Sequence, residues 1–426
     1  MIPTIVNHKF TMDLKGKKLL ILGGNAISCE IVNAAKNLGV YTVVTDWNSP
    51  NVSPAKKLAD DYWNISLLDY DSLLKEIKEE GIEGIITGFT DSYLLPYQHI
   101  CELSGLPCYA TKDVFENTMD KAKFKQLCRD SGISVIPEYQ VEAFDPSIID
   151  SDNKFIIKPV DNSGSRGVIL CETQEDYSKC LQYALSFSKK KQVLIEKYMD
   201  LDSISISYTF QDGEVSLSTT DDRYVHRSVS GSSVTRLSIY PSKYTDAYIE
   251  KMDERVRDMY IKMGVRNGVV AIQFFTNGTD FFAMEMGHRL TGGQHYTYTQ
   301  MENGTSVLNN LIHFAITGRM ADYRISERDN ARFRSTYCHL FLLGKQGVIT
   351  RFEGLEYLSS LPEVLHYSLE KRVGESIGLD GTASQKVIGM HLKLNNVDDL
   401  KRIKQGIQQN VHFYDEAGND LMLDIE

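Results

Sequence analysis

The chain has 426 residues, 42% of them hydrophobic and 24% charged, with a formal net charge of −11. That length suggests roughly two to four domains with ample core, and the acidic balance argues against non-specific binding to nucleic acid or anionic membrane, which needs basic surface. The 7 cysteines are scattered without a CxxC pair, no apolar run approaches a membrane span, and the N-terminal stretch lacks a signal-peptide core. A cytoplasmic protein with reduced thiols is therefore expected.

In chain order, residues 17–22 (KKLLIL) read as a buried strand. Gly23-Gly24-Asn25 turns into a helix over 26–38, with apolar side chains at helical spacing. A second strand, 40–45, runs into Asp46. Helices at 67–80 and 94–104 flank a third strand, 84–87, so the segment alternates as a parallel, doubly wound sheet. Asp46 after a glycine turn suggests a dinucleotide site, but GGNAIS lacks the full G-x-G-x-x-G. Gly23 and Gly24 then make a tight turn or help hold a small substrate at the sheet edge.

Residues 111–131 are expected to be helical, with a break near Asn117-Thr118 and with Lys121, Lys123 and Lys125 on a solvated face. The stretch 154–168, KFIIKPVDNSGSRGV, reads as strand, lysine, glycine-serine loop and returning strand. Such a flap suits a polyphosphate: glycines let backbone N–H groups come close, and Lys158 and Arg166 supply charge. An ordinary hairpin with a soluble turn is the alternative. A strand over 193–199 ends in polar residues. Residues 204–210 and 215–220 form a hairpin, and 223–240 is too polar for core, so it is expected to line a surface or site.

A helix over 244–263 leads into paired strands, 268–276 and 280–286. Their alternation places Gln273 and Glu285 as polar residues among phenylalanines, able to face one volume and hold a hard cation through oxygen. The polar segment that follows contains Arg289, a natural anion or oxyanion partner. His288 and His295 fit no common zinc spacing. A helix is expected over 302–318, and beyond about residue 330 strands and short helices suggest an α+β closing domain without a catalytic cluster.

Together these parts resemble the ATP-grasp superfamily: a Rossmann-like unit, a lysine-bearing helix (MDKAKFK), the strand-lysine flap, a strand ending LIEKY, and paired strands bearing Gln and Glu before an E-x-x-x-R segment. The resemblance implies a mixed α/β and α+β ATP-grasp fold in four parts, 1–112, 113–190, 191–325 and 326–426. It implies that Lys121, Lys158, Ser163, Gly164, Ser165 and Arg166 contact ATP phosphates. Glu196, Lys197, Tyr198 and Met199 would form the adenine hinge, Gln273 and Glu285 would hold magnesium (or manganese), and Arg289 would stabilise an oxyanion. The chain departs from the family's E-x-N-x-R at Gly287, and Ser203 stands where an acid usually meets the ribose, with Asp202 beside it as a substitute. The resemblance is nearest to the L-amino acid ligase and carbamoyl-phosphate-synthase-like branch. It implies an ADP-forming ligase that joins a carboxylate to an amine, on amino-acid or peptide-like substrates. A purine-pathway or carbamoyl-phosphate-type enzyme and a non-catalytic ATP-binding regulator are the alternatives. Arg223, His226, Arg227, Arg236, Gly292 and Gly293 are candidate substrate contacts, and a homodimer is expected.

Overall fold

The computed structural model describes residues 14–160, 166–228 and 231–425. Four apolar segments form a parallel sheet: Lys18–Leu22, Tyr41–Thr45, Asp61–Trp63 and Gly84–Thr87. The first strand lies between the second and fourth, so the chain leaves it in opposite directions on its two sides. A crevice opens there at the carboxyl edge, the usual ligand position in such sheets. The helix Ser28–Asn37 starts on that edge and buries Ile31, Val32 and Ala35 against the sheet.

Gly24 lets the turn close. A Cβ there would stand 2.0 Å from Ser53 Oγ. Asp46 accepts from Gly24 N at 2.9 Å and Ser53 Oγ at 2.7 Å, and pairs with buried Lys56 at 2.9 Å. Its carboxylate is therefore used within the domain rather than presented to a ribose.

The helical stretch expected at 111–131 breaks at Asp120, a little after Asn117-Thr118. Asp120 caps the second helix, Lys121–Asp130, by accepting from Ala122 N and Lys123 N. A four-stranded antiparallel sheet follows, ordered Glu138–Tyr139, Val193–Lys197, Phe155–Pro159, Ile169–Cys171.

The largest element is an eight-stranded sheet. From one edge it runs Phe281–Gly287, Gly268–Thr276, Asp202–Gln211, Glu214–Arg227, Ser233–Tyr240, Thr336–Leu343, Lys386–Leu394 and Val364–Leu369. The 223–240 stretch, expected to stay out of the core, supplies two of its inner strands. One face there is apolar: Leu237 and Ile239 join Leu340, Leu400 and Ile403 in a core under the helix Asp399–Asn410. The other face is polar, and the mixture of the two disguised a buried strand pair as a polar loop. Strands from both sides of residue 326 share this sheet, so the division expected there does not separate two sheets. The helix expected over 302–318 is two, Tyr296–Asn303 and Val307–Thr317, parted at Gly304, whose φ of 68° ends the first. Among the described residues, no helix is long and apolar enough to cross a membrane.

Candidate active site

Lys121 opens its helix. A cation at that end opposes the helix dipole, so the placement asks for anionic company. The charges reaching it are those of Lys158, Glu285, Glu196 and Lys125. Burial, followed by Lys158, pulls its ammonium below the ordinary lysine value, while Glu285 and Glu196 hold it up. The helix start, the flap strand and the last strand of the large sheet thus converge on one volume.

Lys158 Nζ donates to Glu196 Oε2 at 2.6 Å. Glu196 is 4% exposed and also accepts from Lys125 Nζ at 2.6 Å. Burial pushes the Glu196 carboxyl up, but Lys158 and Lys125 more than offset that and hold it below the ordinary range. Lys125 is 1% exposed and bridges on to Glu138 at 2.5 Å. The solvated face expected for 121, 123 and 125 is therefore wrong at Lys125, which buries its ammonium between two carboxylates. Removing it leaves Glu196 with Lys158 and Glu138 with Arg129, so each carboxylate keeps one cation and loses one buried charged hydrogen bond. Lys125→Met should lower unfolding free energy by about 1–3 kcal/mol in a denaturant titration; an unchanged midpoint would show the bridge to be idle.

In the hinge, Lys197 N donates to the Pro137 carbonyl at 2.9 Å and Tyr198 N to the Lys154 carbonyl at 2.8 Å. Both donors are spent within the protein, whereas Met199 N has no backbone partner among the described residues. The Arg227 guanidinium lies 5.2 Å over the Tyr198 ring. Arg166 is exposed in the turn before the returning strand Ile169–Cys171. Ser163, Gly164 and Ser165 lie outside the described residues.

Gln273 and Glu285 face each other in register across one hairpin. They offer oxygen ligands only, the chemistry of a hard cation, and no group of three or more His, Cys, Asp or Glu side chains that could hold a metal occurs among the described residues. Two protein oxygens suit magnesium, which takes its remaining ligands from phosphate and water. Gln273 Oε1 accepts from Arg223 Nη1, and Arg223 Nη2 donates to Thr235 Oγ1 at 2.6 Å. A cation held by Gln273 would compete with that guanidinium. Beside it, fully buried Asp221 is pushed up to about 7 by burial, against the opposing pull of Arg223. Asp202, expected as the substitute ribose acid, binds Lys243 Nζ at 2.8 Å and the Tyr244 hydroxyl at 2.6 Å.

Arg289 is clamped. Its Nε and Nη2 donate to the two oxygens of Asp91, both at 2.6 Å, and Nη1 to the Leu290 carbonyl at 3.1 Å. Asp91 sits just past the fourth parallel strand, so this fork ties that strand's carboxyl end to the end of the Gln273–Glu285 hairpin. Gly287 lies alongside, where a Cβ would stand 3.6 Å from Asp91 Oδ1 and 3.7 Å from Arg289 Cζ.

The loop after Arg289 packs on the sheet's polar face. Gly293 passes the Tyr240 hydroxyl so closely that a Cβ would stand 2.9 Å from it, whereas a Cβ on Gly292 would meet open space. Gln294 Oε1 lies 2.7 Å from His391 Nε2, and the Gly293 carbonyl 3.2 Å from His339 Nδ1. Burial pushes His295 and His288 down to about 4 and His391 to about 3, so these rings are neutral packing groups near pH 7. Arg236 is not brought to the Gln273–Glu285 pair. It donates to the Asp424 carbonyl and borders, with His226, Arg227 and Lys404, a cavity of about 620 Å³ between the sheet and the C-terminal helix.

Residues 151–298 match the family model of the ATP-grasp domain. The chain carries an ATP-grasp domain. The carbamoyl phosphate synthase large chain of Saccharolobus islandicus is 26% identical over 206 residues, covering 43% of this chain and 19% of that protein, so the match spans about a fifth of the relative's length. The ATP-grasp fold extends well beyond the matched segment. The L-amino acid ligase of Bacillus licheniformis superposes with a TM-score of 0.76 at 15% identity, over 94% of this chain and 99% of that one. The biotin carboxylase domain dimer of 2-oxoglutarate carboxylase from Hydrogenobacter thermophilus, solved with MgADP and bicarbonate, does so at 0.73 and 18% identity, over 95% and 92%.

Three residues of this ATP-grasp site escaped the sequence. Lys125 is set apart only by its i, i+4 spacing from Lys121 on the face that also buries Phe124 and Cys128. Glu138 and Asp91 lie on distant segments and carry no local signal at all.

Proposed function

We propose that this protein is an ATP-dependent carboxylate–amine ligase that activates its acid as an acyl phosphate and releases ADP and phosphate. The supporting observation is the convergence of Lys121, Lys158 and Glu285 on one volume, with Gln273 opposite Glu285 and Arg289 held by Asp91 at its border. A carboxylate is a poor electrophile, and its phosphorylation asks mainly for positioning and charge neutralisation. Lys121 and Lys158 supply positive charge to the polyphosphate. Gln273 and Glu285 would hold magnesium, which would supply the charge neutralisation that the lysines do not. Asp91 fixes the Arg289 guanidinium and leaves part of its donor fork open for the oxyanion formed as the amine attacks the acyl carbon. No side-chain nucleophile is required. The substrates are small molecules, an acid and an amine of amino-acid or peptide-like character.

The experiment is phosphate release with ATP and magnesium over a panel of amino-acid pairs, run beside formate and bicarbonate. Turnover that needs both an acid and an amine is expected. ATP binding with no turnover on any pair would favour a regulatory ATP-binding protein, and turnover on bicarbonate alone a carbamoyl-phosphate-type reaction.

A further inference from the structure

The two faces of the large sheet part at Arg236. Arg223 Nη1 donates to Gln273 Oε1 and its Nη2 to Thr235 Oγ1, so Arg223 and Thr235 point to the side of the Gln273–Glu285 pair. Arg223 is paired in register with Ser238, and Leu237 and Ile239 on either side of Ser238 therefore point to the opposite face. Regular alternation would put Thr235 and Leu237 on one side. A bulge separates them: Leu237 pairs with Tyr224 and Thr235 with Val225, which leaves Arg236 as the extra residue between. Such a bulge re-aims a side chain. Here it turns a guanidinium that is 7% exposed toward the C-terminal segment, where it donates to the Asp424 carbonyl.

The cavity of about 620 Å³ beside Arg236 is floored by that opposite face. Its volume suits a small molecule. Leu237, Ile239, Leu340, Val397 and Leu400 give it aliphatic walls, and Val397, just before the helix Asp399–Asn410, is 55% exposed at its mouth. None of the lining residues is acidic, in a chain of net charge −11. His226 Nε2 meets Asp380 Oδ1 at 2.9 Å, so that ring is engaged; the cationic part of the lining is made by Arg227, Arg236 and Lys404. Such a lining fits a ligand with one anionic end and an apolar body. A nucleotide or a sugar phosphate would set hydroxyls against aliphatic walls.

Two contacts run from the same hairpin to the small sheet. The Arg227 guanidinium stands 5.2 Å from the centre of the Tyr198 ring, in the hinge. Gly231 passes so close to the returning flap strand that a Cβ there would stand 2.5 Å from Leu170 Cβ. Arg227 thus borders the cavity and the hinge at once.

We propose that this cavity binds a small organic acid, a carboxylate on an aliphatic or aromatic body, as an effector that weakens nucleotide binding. The cavity and the Gln273–Glu285 pair lie on opposite faces of the sheet, so its ligand is not the acid that is activated. The carboxylate draws the Arg227 guanidinium into the cavity and off the Tyr198 ring, and the hinge loses a cation–π contact. The proposal does not depend on the ligase reading, only on Tyr198 belonging to the nucleotide hinge.

The test is calorimetric titration of the full chain with hexanoate, set against acetate, which lacks the apolar body, and 1-hexanol, which lacks the charge. Hexanoate should bind about tenfold or more tighter than either. Val397→Asp puts a carboxylate at the exposed mouth. It should weaken hexanoate about tenfold and leave the affinity for a non-hydrolysable ATP analogue with magnesium unchanged, which also reports that the variant folds. Saturating hexanoate should weaken the analogue about threefold, and the analogue should weaken hexanoate by the same factor. Arg227→Gln should weaken the analogue by a similar factor and remove any further effect of hexanoate. Equal binding of hexanoate and 1-hexanol, hexanoate affinity that Val397→Asp does not move, or analogue affinity that hexanoate does not move overturns the proposal.

Discussion

Glu285→Gln should lower kcat by about a thousandfold while leaving binding of an ATP analogue largely intact. The substitution keeps size and shape and removes one negative charge. Glu285 is the carboxylate of the Gln273–Glu285 pair and one of the two acids felt at Lys121. Without it, the position that should hold magnesium keeps two neutral amide oxygens and a neighbouring guanidinium from Arg223, a poor environment for a hard cation. The hinge on the small sheet is untouched, so the loss should fall on phosphoryl transfer. ADP release under saturating ATP and magnesium measures it. Activity within a few-fold of the parent would falsify the assignment of this hairpin as the metal site.

Arg289→Lys should cost about a hundredfold in kcat, although it conserves charge. Lysine is a point charge on a flexible stem and cannot reproduce the two parallel bonds from Nε and Nη2 to Asp91. The donor aimed at the developing oxyanion would lose its orientation, and one misplaced oxyanion donor costs about 10²–10³ in rate. Because Asp91 is the orienting group, Asp91→Asn should fall in the same direction by a smaller factor, and the double variant should lose less than the product of the two single losses. Strict multiplication of the two effects would mean that Asp91 and Arg289 act independently.

Much of the fold is legible in the chain. Continuous apolar runs bounded by glycine mark the parallel sheet, and the paired strands at 268–276 and 281–287 announce themselves by alternation. The Gln273–Glu285 hairpin was readable for the same reason: a period of two places both side chains on one face, and adjacent strands place them together. What the sequence hid falls into two kinds. Residues 223–240 mix a buried polar face with an apolar one, so polarity pointed to a loop where backbone pairing makes two inner strands. Lys125 and Asp91 have partners far away in the chain, and nothing local separates a lysine in a solvated row from one buried between Glu138 and Glu196. Asp46 shows the converse. Its spacing from the glycine turn suggested a ligand, while its partners, Gly24, Ser53 and Lys56, make it a strut.

The continuity of the eight-stranded sheet has a mechanical consequence. A run of hydrogen-bonded strands bends gently but does not hinge in its middle, so the segment beyond residue 326 cannot swing on its own as a cover. It is part of the frame. Among the described residues the smaller sheet, with Lys158 and the hinge, shares no strand with that frame, and a single backbone bridge, Val135 beside Ala283, ties the segment entering it to the large sheet's edge. Any opening and closing around a nucleotide would therefore fall to the small sheet, moving against a support that begins at the Gln273–Glu285 hairpin.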